Sequence, residues 1–157
     1  ATPPSADTWR LDLHTPTLFR HGDEVDLSPT VPHLLGAAIR ACEDQIPGVV
    51  PDPSQNLLQR IMVSQLDVVT ECLRFGNRNY TGLVGRIVLS CPDRDASRRL
   101  APIFAAMPYT GVGSYRARGL GTVTVTGLDR AIDQPSRRRS RGRANRQSTA
   151  GAARKAG

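Results

Sequence analysis

Several residue types are scarce in this chain, and each scarcity excludes something. Aromatic residues make up 4% of the 157 positions, which argues against a binding surface built from rows of stacked bases. The three cysteines, Cys42, Cys72 and Cys91, are odd in number, scattered and set in apolar sequence. None stands at C-x-x-C spacing, so a zinc knuckle and a dithiol redox motif are both unavailable, and neither a metal nor a cofactor is expected. All three read as reduced core thiols, which suits a cytoplasmic protein better than a disulfide framework. No apolar run approaches the ~18 to 20 residues of a helical membrane span, and residues 1–7 lack the basic and apolar regions of a secretory signal. A soluble protein with one ordinary domain and no membrane partner is the resulting expectation.

Lysine is almost missing too, with Lys155 the only one, so the net charge of +7 is carried by arginine. Its placement matters more than its sum. From Arg130 onward nine basic residues face the single acid Asp133, which leaves residues 1–129 slightly acidic. Phosphate binding by the folded part must therefore come from locally clustered arginines rather than from a global field. After Leu128 the chain consists mostly of Arg, Ser, Gly, Ala, Gln and Pro, too few apolar groups to offset chain entropy. The expected organisation is a flexible leader over 1–7, one domain over 8–129 and a disordered Arg-rich tail over 130–157.

Within the domain the hydrophobic period changes repeatedly. Trp9, Leu11 and Leu13 alternate with Arg10, Asp12 and His14, the period of a half-buried strand, which Thr15-Pro16-Thr17 ends or bends. Ser28-Pro29 offers a cap and a first-turn proline, and Val31, Leu34, Leu35, Ala38, Ile39 and Cys42 follow on one helical face that Pro47-Gly48 closes. Residues 51–55 read as a loop. Ile61, Val63, Leu66, Val68 and Leu73 form a β-prone stretch whose parity shifts near Ser64-Gln65, as a bulge requires. The turn Gly76-Asn77-Arg78-Asn79 leads into the apolar run 83–89, completing a long hairpin. Asp95 or Ser97 can cap a second helix bearing Leu100, Ile103, Phe104 and Met107, with Pro102 expected to kink or delay it. Val123 and Val125, alternating with threonines, make a last strand. The order β, α, β, β, α, β is that of an α+β, ferredoxin-like fold with both helices on one sheet face.

The richest motif is Gly111-Val112-Gly113-Ser114-Tyr115-Arg116-Ala117-Arg118-Gly119-Leu120-Gly121, between the second helix and the last strand. Four glycines permit positive φ and close backbone approach. Consecutive amides could then face an anion, with Arg116 and Arg118 reaching it from their side chains. It is neither a Walker A loop nor a dinucleotide fingerprint, because a strand rather than a helix comes next. A purely structural glycine turn stays open beside the phosphate-binding reading.

This G-x-G…G-x-G loop, the strand running into Leu13-His14-Thr15-Pro16-Thr17-Leu18-Phe19, and Tyr80-Thr81-Gly82-Leu83-Val84-Gly85-Arg86 opening another strand together resemble the C-terminal domain of the CRISPR RAMP endoribonucleases. The resemblance implies two tandem ferredoxin-like domains, metal-independent cleavage of CRISPR repeat RNA, and a glycine loop that shapes the RNA cleft. It assigns RNA contact to Gly111, Gly113, Ser114, Arg116, Arg118, Gly119 and Gly121. Arg74, Arg78 and Arg86, which flank the proposed hairpin, are candidate phosphate contacts or a solvated charged face.

The family's catalytic histidine belongs to its first domain, which this chain does not match, so catalysis is expected from an N-terminal ferredoxin-like domain or an upstream chain. Metal-free cleavage needs a base, an acid and positive groups. Of this chain's own histidines only His21, beside Arg20, is a catalytic candidate, against a solvated loop residue; His14 and His33 read as packing or capping residues. The implied function is binding and processing of CRISPR precursor RNA repeats. Alternatives are a non-catalytic RNA-binding or scaffold subunit that meets other subunits of a CRISPR effector complex, and a generic ferredoxin-like binding domain whose glycine loop is only a turn.

Overall fold

The computed structural model describes residues 6–48 and 55–128; the expected tail, most of the leader and nearly all of the 51–55 loop lie outside the described residues. Strand β1 (Thr8–Thr17) is followed by a short hairpin, β2 (Phe19–His21) and β3 (Glu24–Asp26), then by helix α1 (Val31–Gln45) and a single helical turn, α2 (Gln55–Leu58). Strands β4 (Met62–Phe75) and β5 (Arg78–Ser90) form the long hairpin, helix α3 (Arg94–Thr110) leads to a 3₁₀ turn at Arg116–Arg118, and β6 (Val123–Leu128) closes the fold. The main sheet has the order β4-β5-β1-β6, every neighbouring pair antiparallel. Setting aside β2, β3 and α2, this is the expected βαββαβ, ferredoxin-like arrangement.

The alternation in β1 sends Trp9, Leu11 and Leu13 into the core, where they join Ile87, Leu89 and Val123 of the neighbouring strands. The helices close over that face. All six apolar residues expected on the α1 face are buried, as are Leu100, Ile103, Phe104 and Met107 of α3. Trp9 stacks on Phe104 with ring centroids 4.4 Å apart, tying the first strand to the second helix. Full burial of each such side chain contributes about 1.5–3 kcal/mol, so the two apolar stripes fix which sheet face is covered. Arg10, Asp12 and Arg86 lie on the opposite face, which no described helix covers, and Asp12 there accepts hydrogen bonds from Arg10 Nε at 3.0 Å and Arg86 Nε at 3.1 Å.

The expected bulge is present, with the β4–β5 register shifting between Val63 and Gln65. The β1 strand bends rather than ends at Pro16, its register with β5 shifting between Leu13 and Thr17.

Several local expectations are corrected. The cap of α1 is Thr30, whose hydroxyl accepts from the His33 amide, and Pro32 rather than Pro29 occupies the first turn. Asp93, not Asp95 or Ser97, caps α3, accepting from the amides of Asp95 and Ala96. Pro102 does not delay α3. Both of its internal prolines are exposed, so their missing amide hydrogen bonds are lost where water can replace them. Cys72 is exposed on β4 and is no core thiol, while burial pushes the Cys42 and Cys91 thiols up and keeps them neutral. Of the leader, Ala6 is buried, and its carbonyl accepts from Ser97 Oγ while that of Asp7 accepts from the Cys91 amide.

Candidate functional site

The three sequence patches that carry the family resemblance meet at one end of the fold. The Pro16 carbonyl accepts from the Gly121 amide at 3.2 Å, Thr15 Oγ1 accepts from the Thr122 amide at 2.9 Å, and the Leu18 carbonyl accepts from the Ser114 amide at 2.8 Å. The strand segment 15–18 is thus stitched to the glycine loop. On its other side it presses on Gly82, where an added Cβ would lie 2.6 Å from the Thr17 nitrogen. Gly113 and Gly121 are required for the same reason: both have positive φ, and a Cβ would stand 2.5 Å from the Leu18 carbonyl oxygen at Gly113 and 1.9 Å from that of Val112 at Gly121. Gly111 and Gly119 also take positive φ, Gly111 as the C-cap of α3 and Gly119 as that of the 3₁₀ turn.

This stitching limits which loop amides are free to meet a ligand. The amides of Gly111, Val112, Ser114, Arg118, Gly119 and Gly121 all donate to carbonyls of the chain itself, so they do not form an open anion cradle. Arginine side chains from several elements stand at the same end of the fold.

Those side chains surround a groove of about 1030 Å³ between the β2–β3 hairpin, the outer side of α1, the end of α3 and the loop. Gly113, Ser114 and Arg116 reach it from the loop, Arg20 and His21 from β2, and His33 and Arg40 from α1. Arg116 is half-buried, donating to the Thr110 carbonyl at 3.4 Å and standing 3.8 Å from the exposed carboxylate of Asp44. Arg40 has no ion pair among the described residues. Three guanidiniums thus stand around one concavity in a body of slightly acidic overall charge, Arg20 itself lying 3.5 Å from the exposed carboxylate of Asp23.

Beside the groove lies an aromatic cluster that composition did not foretell. Tyr115, the one non-glycine residue with positive φ among those described, accepts a hydrogen bond from Arg20 at 2.7 Å. Arg20 and Arg118 also stand over its ring at 5.4 and 5.5 Å. Arg118 donates to the hydroxyl of Tyr80, whose buried ring meets that of Tyr115 edge-on at 5.0 Å. Arg116 and Arg118, two positions apart in the loop, therefore serve different places: one lines the groove, the other locks the loop to β5.

The hairpin arginines are elsewhere. Arg74 and Arg78 sit exposed at the far tip of β4–β5, and Arg86 is paired with Asp12 on the sheet face opposite the helices, so none of the three lines the groove. His14 is exposed on β1, its Nε2 2.6 Å from Thr124 Oγ1.

His21 belongs to a strand rather than a loop, and it has company. Its Nε2 lies 3.0 Å from Nε2 of His33, which stands 3.6 Å from the carboxylate of Asp26. Asp26 is held below the usual aspartate range, chiefly by the hydrogen bond it accepts from the Ser28 amide. The reading of His33 as a packing residue is accurate for one side of its ring, which stacks on Phe19 at 5.3 Å; the other side faces the groove.

The family model of the CRISPR-associated endoribonuclease Cas6 matches residues 11–123, which takes in all three convergent patches. The chain belongs to the Cas6 family. No curated protein matches its sequence. Among solved structures, a Cas6 product complex superposes with a TM-score of 0.69 at 24% identity, over 79% of this chain and 53% of that one. A Thermus thermophilus Cas6 gives 0.68 at 17% identity, over 79% of this chain and 55% of that one. The fold also occurs inside a Cas6-RT-Cas1–Cas2 complex, where the match has a TM-score of 0.51 at 13% identity and covers 78% of this chain and 14% of that one. The chain spans about half the length of the first two Cas6 structures, and at these identities they establish its fold.

Proposed function

We propose that this Cas6-family domain binds CRISPR repeat RNA through the arginine-lined groove and the glycine loop, as the C-terminal half of a metal-independent repeat-processing endoribonuclease. The observation that carries the reading is a groove lined by the family's glycine loop and by Phe19 of its first patch, where Arg20, Arg40 and Arg116 gather. A folded body with a slight acidic excess has little reason to concentrate arginine there unless the ligand is anionic. The cleavage chemistry is assigned to a second ferredoxin-like domain. Cytoplasmic location and the effector or adaptation subunits that would share the RNA belong to the same reading.

A non-catalytic RNA-binding subunit would share the groove and differ only in the chemistry. Binding and cleavage of a labelled repeat hairpin by the full chain in EDTA, at two salt concentrations, with the Arg116→Ala, Arg118→Ala variant as control, tests both. Salt-sensitive binding weakened by the substitutions supports the groove. Cleavage abolished by His21→Ala would move the chemistry onto this domain. Binding indifferent to the substitutions would reduce the loop to a structural turn.

A further inference from the structure

We propose that His21, Asp26 and His33 form a binding site for a divalent transition-metal ion of the Zn²⁺ class at the wall of the groove. Two imidazoles and a carboxylate are a donor set suited to such an ion. One donor atom from each residue lies within 4.8 Å of the others, with His21 Nε2 3.0 Å from His33 Nε2 and His33 Nε2 3.6 Å from Asp26 Oδ2. Ligands about 2.0–2.1 Å from a common ion lie roughly 3–3.4 Å apart, so the two pairs that include His33 need only small adjustments, while His21 and Asp26, within 4.8 Å, are brought to that spacing by side-chain rotation.

The orientation of His33 and Asp26 is the stronger argument, because it is set from outside the cluster by one residue. Nδ1 of His33 is 2.8 Å from the Ser28 carbonyl, an acceptor only, so Nδ1 carries the proton and Nε2 presents its lone pair to the cluster. The amide of the same Ser28 donates to Asp26 Oδ1 at 2.7 Å, leaving Oδ2 directed at His33. Ser28 thus holds two of the three donors as outer-shell partners hold metal ligands. The donors also come from three elements, β2, β3 and the first turn of α1, so a bound ion would clamp the small hairpin to the helix. Three protein ligands leave a coordination position for water or an anionic group. A bare hydrogen bond from His21 to His33 would give similar distances, and it is the alternative that the experiment must separate.

The test is titration of the metal-stripped full chain with Zn²⁺ by calorimetry, and with Co²⁺ by visible absorption, in a Cys72→Ser background that removes the exposed thiol. The expected result is saturable binding of one ion per chain, with a Co²⁺ spectrum of nitrogen and oxygen ligation and an unfolding temperature raised by Zn²⁺. His21→Ala and Asp26→Asn, with unchanged far-UV circular dichroism, should each weaken binding by about 100-fold or more. Binding that survives either substitution, or no saturable binding below millimolar Zn²⁺, overturns the site. Neither readout involves RNA, so the metal site and the RNA groove fail or stand separately.

Discussion

The guanidinium of Arg118 donates to the hydroxyl of Tyr80, so a loop residue and a strand residue 38 positions apart are joined by one hydrogen bond beneath a ring contact. The bond closes the third side of a triangle whose other sides are the Ser114–Leu18 and Gly121–Pro16 hydrogen bonds, and it makes the loop part of the sheet. Tyr80→Phe keeps the ring and removes the acceptor. It should cost about 1 kcal/mol in urea unfolding, and the loss should be largely absent when Arg118 is already alanine.

Gly121 permits the closest backbone approach in the loop. Alanine there must take positive φ and push its Cβ against the Val112 carbonyl oxygen. Destabilisation of about 3 kcal/mol or more is expected from thermal melts, and RNA binding should fall with the folded fraction. Alanine at Gly119, where φ is also positive but nothing lies within 4 Å, should cost only about 1–2 kcal/mol.

Thr30 is the α1 cap. Thr30→Ala should lower stability by about 1 kcal/mol, measured by urea denaturation monitored through helical circular dichroism.

Acid should unfold the domain through Asp12, Asp26 and Asp93. Asp12 is pushed up by partial burial, but the hydrogen bond from Arg86 and the charges of Arg10 and Arg86 outweigh this and hold it low. Asp93 is held low chiefly by the Ala96 amide and by Arg60. A carboxylate depressed in the folded state stabilises it above the unfolded value, and that stability is lost as pH falls through the folded value. Stability should therefore be flat above about pH 5 and drop below the ordinary aspartate value of 3.8. In Asp12→Asn the drop should be shallower.

Phosphate contact by the groove has a thermodynamic signature. Each arginine that meets phosphate releases counterions, so Arg116→Ala should reduce the slope of log affinity against log salt by about 1. Arg78→Ala, at the distant hairpin tip, should leave the slope unchanged if the groove alone holds the RNA.

Local periodicity determined most of this protein. The two-residue alternation of Trp9, Leu11 and Leu13, the helical stripes of α1 and α3, and the parity shift at Ser64-Gln65 specify element type, order and even the bulge, because each depends on which side of the chain is apolar. The order then leaves one natural sheet, and the glycine pattern marks the segment that must approach another backbone. Only the tertiary structure decided which side chains share a place. His21, Asp26 and His33 stand on two strands and a helix with no common period, so their meeting depends on how the β2–β3 hairpin folds against α1. Arg116 and Arg118 look equivalent in the sequence, yet the 3₁₀ turn sends one to the groove and the other to Tyr80. The loop has the sequence of an anion cradle, yet the amides of Ser114 and Gly121 are occupied by the carbonyls of Leu18 and Pro16, about 100 residues away, and four others by carbonyls of α3 and of the loop itself, because a buried backbone donor must be paired with whatever lies nearest.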